Sequence, residues 1–223
     1  MPVECDFVFT PMGQEQFHEV DKVLMRHAFD LHNTLGRFLD ERIYHDELAR
    51  RCCGSGIAAF REVEIRVSHL NFSKSYFLDL LVERGFIYEL KATESLNPSH
   101  QSQLINYLLL AGLHHGKLVN FRPRSVESRF VSTRLTREDR QTFEIDTSSW
   151  NPCGERCLRL KALLVDLLHD WGSFLDAGLF REALLHFLDD SESGIHPVPI
   201  EVNGRDAGSQ KMSLLNSDAA WHL

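Results

Sequence analysis

Two runs of alternating side chains, Tyr76 to Val82 and Phe86 to Ala92, are separated by only three residues, Glu83-Arg84-Gly85. So short a connection leaves an antiparallel hairpin as the simplest solution, with Gly85 able to take positive φ in the turn. If the turn is centred on Arg84, the numbers of cross-strand partners sum to 168, so Asp79 faces Glu89 and Phe77 faces Lys91. Side chains alternate along a strand, so Glu89 and Lys91 share a face and Asp79 lies beside both. Leu78, Leu80, Tyr88 and Leu90 point the other way and can anchor the hairpin in a core. The spacing thus gathers two carboxylates and one ammonium on the core-free face of a sheet.

The surroundings of the hairpin set the fold class. Phe17, Val20, Val23, Leu24, His27, Ala28 and Leu31 recur at helical spacing over 14–34, and Gly36 breaks the pattern. A second helix is predicted from Leu39 to Cys52, closed by Gly54-Ser55-Gly56. Val63, Ile65 and Val67 alternate as in a strand. After the hairpin come a helix over Ser99 to Ala111, ended by Gly112, and a short strand over Lys117 to Phe121. Arg129 to Leu135 and Thr142 to Ile145 are further strand candidates. This order predicts a mixed α/β (α+β) core, a mixed central sheet flanked by helices, over residues 1–150. Asn151-Pro152 to Gly154 reads as a linker to an α/β C-terminal extension over 151–223, expected to pack on the core. The extension holds helices over Glu155 to His169 and Leu179 to Leu188. Strands over Val198 to Val202 and Gln210 to Leu215 surround the turn signal Asn203-Gly204. Leu35-Gly36-Arg37-Phe38-Leu39-Asp40-Glu41 to Tyr44 can be laid on Trp171-Gly172-Ser173-Phe174-Leu175-Asp176-Ala177 to Phe180, either as a degenerate duplication or as chance likeness of two amphipathic segments.

With 24 Lys+Arg against 32 Asp+Glu the formal net charge is −8, which excludes a polycationic nucleic-acid coat. The excess acid is uneven. Residues 1–133 hold 15 basic and 17 acidic side chains, and residues 134–223 hold 9 and 15. Arg122, Arg124, Arg129, Arg134, Arg137 and Arg140 form the one basic-rich stretch; Arg122, Arg124 and Arg129 are the candidate phosphate contacts. The other reading pairs these arginines with Glu127, Glu138 and Asp139 on a solvated surface. The amino terminus does not read as a signal peptide, and the most apolar window, Leu158 to Leu168, is interrupted by Arg159, Lys161 and Asp166. A cytoplasmic protein without a membrane partner is expected. Five cysteines, an odd count, fit a reducing compartment. A metal or iron–sulfur site would combine Cys52 or Cys53 with Cys153 and Cys157; ordinary thiols are the alternative.

Paired carboxylates offer hard oxygen ligands for Mg²⁺ or Mn²⁺, and such an ion acidifies water for attack on phosphorus. Lys91 can orient that water or stabilise charge on phosphoryl oxygens. The bland reading is a solvated strand face. On the following helix His100, Gln103 and Tyr107 share a stripe that can deliver an amide and a phenol beside the sheet, or merely face solvent. On the second helix Glu41 and Tyr44 share a face; Glu41 is a third metal carboxylate, or a surface partner of Arg37 or His45.

Taken in order, Leu35-Gly36, Leu39, Glu41 and Tyr44, Asp79-Leu80-Leu81-Val82, Glu89-Leu90-Lys91-Ala92, His100, Gln103-Leu104, Asn106-Tyr107-Leu108, Gly116 and Asn120-Phe121 resemble the GxxExxY protein family. That family is placed in the PD-(D/E)XK nuclease superfamily, and the Gln103–Tyr107 pair resembles the glutamine–tyrosine motif of the RecB-type exonuclease branch. The resemblance covers roughly residues 14–133. It implies a restriction-endonuclease-like core, metal carboxylates at Asp79 and Glu89, a catalytic Lys91, a helix carboxylate at Glu41 and substrate-side residues at Gln103 and Tyr107. The implied activity is metal-dependent hydrolysis of phosphodiester bonds, in DNA ahead of RNA. Two departures stand out: Phe38 occupies the motif glycine's place, and Leu78 precedes Asp79 where the superfamily name has Pro. The alternative is a non-catalytic module on the same fold, binding nucleic acid or protein, with the extension serving a homodimer or protein contact.

Overall fold

The computed structural model describes residues 3–188, 194–216 and 219–223. In chain order its elements are β1 (Val3–Glu4), α1 (Gln14–Leu35), α2 (Glu41–Gly54), β2 (Ala59–His69), β3 (Phe72–Val82), β4 (Phe86–Lys91), α3 (Pro98–Ala111), β5 (His115–Asn120) and β6 (Glu127–Ser132). There follow α4 (Arg137–Gln141), α5 (Glu155–Trp171), α6 (Ala177–Leu188), β7 (Gly194–Val202), β8 (Arg205–Asn216) and β9 (Ala219–Trp221). The chain divides into two compact units. One is the stretch ending at Ser68 together with Ser73–Arg140; the other is Gln141–Leu223 together with the hairpin tip His69–Phe72.

The first unit is built on a six-stranded sheet in the order β1-β2-β3-β4-β5-β6. β4 and β5 run parallel with α3 as their crossover, while β1–β2, β3–β4 and β5–β6 are antiparallel. The sheet is therefore mixed, as the element order predicts. β4 is the most buried strand because Phe86-Ile87-Tyr88 is apolar on both faces. Even-numbered residues Leu80, Val82, Phe86, Tyr88 and Leu90, with Val119 and Phe121, pack against Phe17, Leu24, Ala28 and Leu31 of α1 and Tyr44, Leu48 and Cys52 of α2. By alternation Leu81, Ile87, Glu89 and Leu118 face the other way, towards α3.

The hairpin register is the predicted one: Leu80 pairs with Tyr88, Leu81 with Ile87 and Val82 with Phe86. Its turn differs from expectation. Glu83 and Arg84 carry the positive φ, 51° and 57°, and Gly85 does not. Gly85 serves close approach instead: a Cβ there would lie 2.6 Å from the carbonyl oxygen of Thr10, in the segment whose Thr10 N–H donates to Arg84 O at 2.8 Å. A second correction concerns the acidic face. It is not core-free, since Glu89 is 1% exposed and α3 lies against β4 and β5.

In the second unit α5 buries Leu160, Leu167 and Trp171, and α6 buries Leu179, Phe180, Ala183, Leu184 and Leu188. β7, β8 and β9 form an antiparallel sheet. Its first turn takes φ of 53° at Asn203 and 75° at Gly204, as an Asn-Gly hairpin requires. Residues 142–145 are irregular rather than a strand, and the short helix α4 precedes them unannounced by any periodic pattern. No described helix is long and apolar enough to cross a membrane.

Candidate active site

Beyond Leu80↔Tyr88 the Leu90 N–H donates to Asp79 Oδ2 at 2.8 Å, so a carboxylate takes the place of a ladder acceptor. Asp79 is thereby held at the seam where β3 and β4 part. Lys91 Nζ lies 2.7 Å from Glu89 Oε1 and 3.9 Å from Asp79 Oδ2. The three groups inferred from strand alternation converge. α2 brings two more: Glu41, in its first turn, accepts the Ala92 N–H at Oε2 (2.9 Å). His45, one turn on, places Nε2 3.8 Å from both Glu41 Oε1 and Asp79 Oδ2, and Nδ1 3.9 Å from Glu62 Oε1. Glu41 is therefore drawn to the end of β4 and to His45 rather than to Arg37.

Tyr44 does structural work here. Its hydroxyl donates to Gly36 O (2.8 Å) and accepts from Leu39 N–H (3.3 Å), and its ring stacks on Phe121 with centroids 4.5 Å apart. These bonds lock the corner from which α2 departs, and so aim Glu41.

Burial dominates the electrostatics. It raises the Asp79 carboxyl, against the opposing pull of Lys91 and of the Leu90 hydrogen bond. Burial raises Glu89 further, the Asp79 charge adds to it, and Lys91 opposes both. For Lys91, burial works against the charge, but Glu89 and Asp79 outweigh it and hold the ammonium above its ordinary value. Burial lowers the His45 imidazole, partly offset by Glu41 and Glu62, which favours the neutral form that binds metals.

α3 contributes Gln103, whose Nε2 donates to Tyr107 OH at 2.9 Å. The Tyr107 hydroxyl is raised by burial and by the Glu89 and Asp79 charges, with the Gln103 bond opposing. His100 leaves the predicted stripe and caps the helix: its N–H donates to Asn97 Oδ1 (3.2 Å) and its Nδ1 accepts from Asn97 N (3.3 Å).

Arg122 Nε donates to Ala92 O (3.2 Å), beside the peptide that holds Glu41. Arg124 and Arg129 are exposed, and among the described residues neither they nor Arg122 is ion-paired. Two of the three carboxylates expected to pair with them are used locally. Glu127 accepts from Asn120 Nδ2 (3.3 Å) and Leu96 N (3.4 Å), and Asp139 accepts from Thr136 N and Oγ1. Arg140 is corrected outright: it is 1% exposed and cannot present its guanidinium to a phosphate. Asn120, fully buried, clamps the loop after Lys91 by exchanging hydrogen bonds with Thr93 N (3.1 Å) and O (2.8 Å).

Among the described residues, one group of three or more His, Cys, Asp or Glu side chains lies close enough to share an ion: Glu41, His45 and Asp79. No cysteine belongs to it. His45 was not among the expected site residues; its i, i+4 spacing from Glu41 was the available signal. The donor set fits a divalent cation. Glu89, expected as a ligand, lies outside that group; its Oε2 and His45 Nε2 are buried without a hydrogen-bond partner, and the three carboxylates Glu41, Asp79 and Glu89 have a single lysine among them.

An Asp on one hairpin strand and Glu-x-Lys on the next is the signature after which one class of nucleases is named. The chain belongs to that class, the PD-(D/E)XK nuclease superfamily, whose family model matches residues 18–131. No curated protein and no solved structure gives a significant match. Nuclease activity, nucleic-acid binding and divalent-metal use are general properties of that class.

Proposed function

We propose that this protein is a divalent-metal-dependent nuclease of the GxxExxY type that hydrolyses phosphodiester bonds, in DNA ahead of RNA. The observation that carries the reading is Glu89 Oε2, an oxygen buried without a partner beside a second, half-buried carboxylate, Asp79. A buried carboxyl oxygen left without a partner is costly, and a cation relieves it. Asp79, Glu89, Glu41 and His45 are the residues that would hold Mg²⁺ or Mn²⁺. The ion, when bound, supplies acidification of water and charge neutralisation at the phosphoryl oxygens.

The chain's own groups do the remainder. Lys91, kept charged by Glu89 and Asp79, donates to a phosphoryl oxygen or holds the attacking water. Gln103 and Tyr107 present an amide and a phenol to the substrate from α3. Arg122, Arg124 and Arg129 offer guanidiniums to flanking phosphates. The test is cleavage of labelled DNA and RNA with Mg²⁺ or Mn²⁺ by the whole chain. Lys91→Ala is expected to lower the rate about 10²–10³-fold without abolishing Mn²⁺ binding measured by calorimetry. Cleavage that is unchanged in Lys91→Ala would assign the activity to a contaminant or another site, and no cleavage with stoichiometric oligonucleotide binding would replace this reading by that of a binding module.

A further inference from the structure

Phe38 is 71% exposed in the corner between α1 and α2, three residues before Glu41. An isolated exposed aromatic is ordinary, but this one is flanked by two guanidiniums. Arg37 lies 4.6 Å from the ring centroid and Arg122 lies 5.8 Å from it. Arg122 also ties the ring to the site, because its Nε donates to the carbonyl of Ala92, whose N–H donates to Glu41. The ring stays open even with both cations beside it. An aromatic face bordered by arginines is the combination that takes an unpaired base together with its phosphate: the base stacks on the ring and the guanidiniums meet the anion. A paired base has both of its faces covered by neighbours in the duplex and cannot use such a ring without unstacking.

We infer that Phe38, with Arg37 and Arg122, forms a stacking platform for an unpaired base of single-stranded nucleic acid next to the scissile phosphodiester. This rests on the nuclease reading above and narrows its substrate to single strands, or to ends that open. An internal control exists. Phe174 occupies the matching place between α5 and α6 and is 65% exposed, yet among the described residues it takes part in no cation–ring contact.

The experiment measures binding of a short fluorescein-labelled single-stranded oligodeoxynucleotide, and of a blunt duplex of the same sequence, by anisotropy with chelator present so that nothing is cut. Phe38→Ala is expected to weaken single-strand binding about tenfold, the scale of one stacked base, while duplex binding stays within about twofold. Phe38→Trp restores affinity, and its indole emission is quenched on binding. Phe174→Ala changes neither. Circular dichroism checks that each variant folds. Single-strand binding that survives Phe38→Ala, or falls equally in Phe174→Ala, overturns the platform. If metal-dependent cleavage is still lost in Lys91→Ala, the nuclease reading survives that failure. Wild-type protein that neither binds nor cuts any of the probes overturns both.

Discussion

The chain contains two helix–Gly-x-Phe-Leu-Asp–helix corners, and they solve one backbone problem with different outcomes. Between α1 and α2, Gly36 has φ 75° and ψ −159°; between α5 and α6, Gly172 has φ 84° and ψ 169°. Both lie in a region that glycine alone occupies readily. Each glycine N–H closes the preceding helix, onto His32 O and Leu168 O, and each corner leaves its Phe outside. The differences begin on the next helix. The first corner has Glu41, drawn to β4 and Asp79, and a Tyr44 hydroxyl that ties the corner together. The second has Ala177 and Phe180, with Phe180 packed on the buried Trp171 at 5.4 Å. One corner spends its side chains on a polar site and the other on an apolar core. A shared corner therefore says how two helices join, and only the side chains beyond it say what the join is for.

The largest effect expected from this comparison is on catalysis. Glu41→Ala should lower metal-dependent cleavage about 10- to 100-fold, the range for a group that holds or orients a metal, whereas Ala177→Glu should create no second Mn²⁺ site by calorimetry. Truncating the buried rings comes next. Tyr44→Ala and Phe180→Ala should each cost about 3–5 kcal/mol in urea unfolding. Tyr44→Phe separates the corners more finely: it should cost about 1–2 kcal/mol and lower cleavage, because the bonds to Gly36 and Leu39 are lost. The reverse change, Phe180→Tyr, should give no gain. Gly36→Ala and Gly172→Ala should cost similar amounts, about 1–3 kcal/mol each; a large inequality would break the equivalence of the two corners.

The last effect is on pH dependence. Glu89 is raised in the folded state from 4.5 to about 8, by burial first and by the Asp79 charge second. A raised carboxyl contributes stability that is complete below its unfolded value and is lost as pH climbs through the folded one. With chelator present the melting temperature should therefore fall between about pH 5 and about pH 8, Glu89→Gln should flatten the fall, and Mn²⁺ should reverse it in the wild type. No side chain of the second corner should alter that profile.

Much of this was legible in the chain. Asp79, Glu89 and Lys91 were brought together by strand alternation and a three-residue turn, because strand geometry has a period of two and a tight hairpin leaves little freedom of register. The helices showed in their apolar spacing. Of His45 only the i, i+4 spacing from Glu41 was legible, since a histidine on a helix carries no mark of the strand it will face. The exposure of Phe38 and the burial of Arg140 were equally silent, because both depend on segments distant in sequence. Residues 142–145 alternate like a strand, yet the chain there is irregular.

The amino-acid order by itself determined the hairpin register, the helix corners and the identity of the acid–lysine cluster, all set by local geometry. The tertiary structure decided what that cluster is. α3 lies over its face, α2 brings Glu41 and His45 against its seam, and burial turns an ordinary pair of carboxylates into a site with an unsatisfied oxygen. Removal from water is a property of the packed assembly, and no local stretch of sequence encodes it.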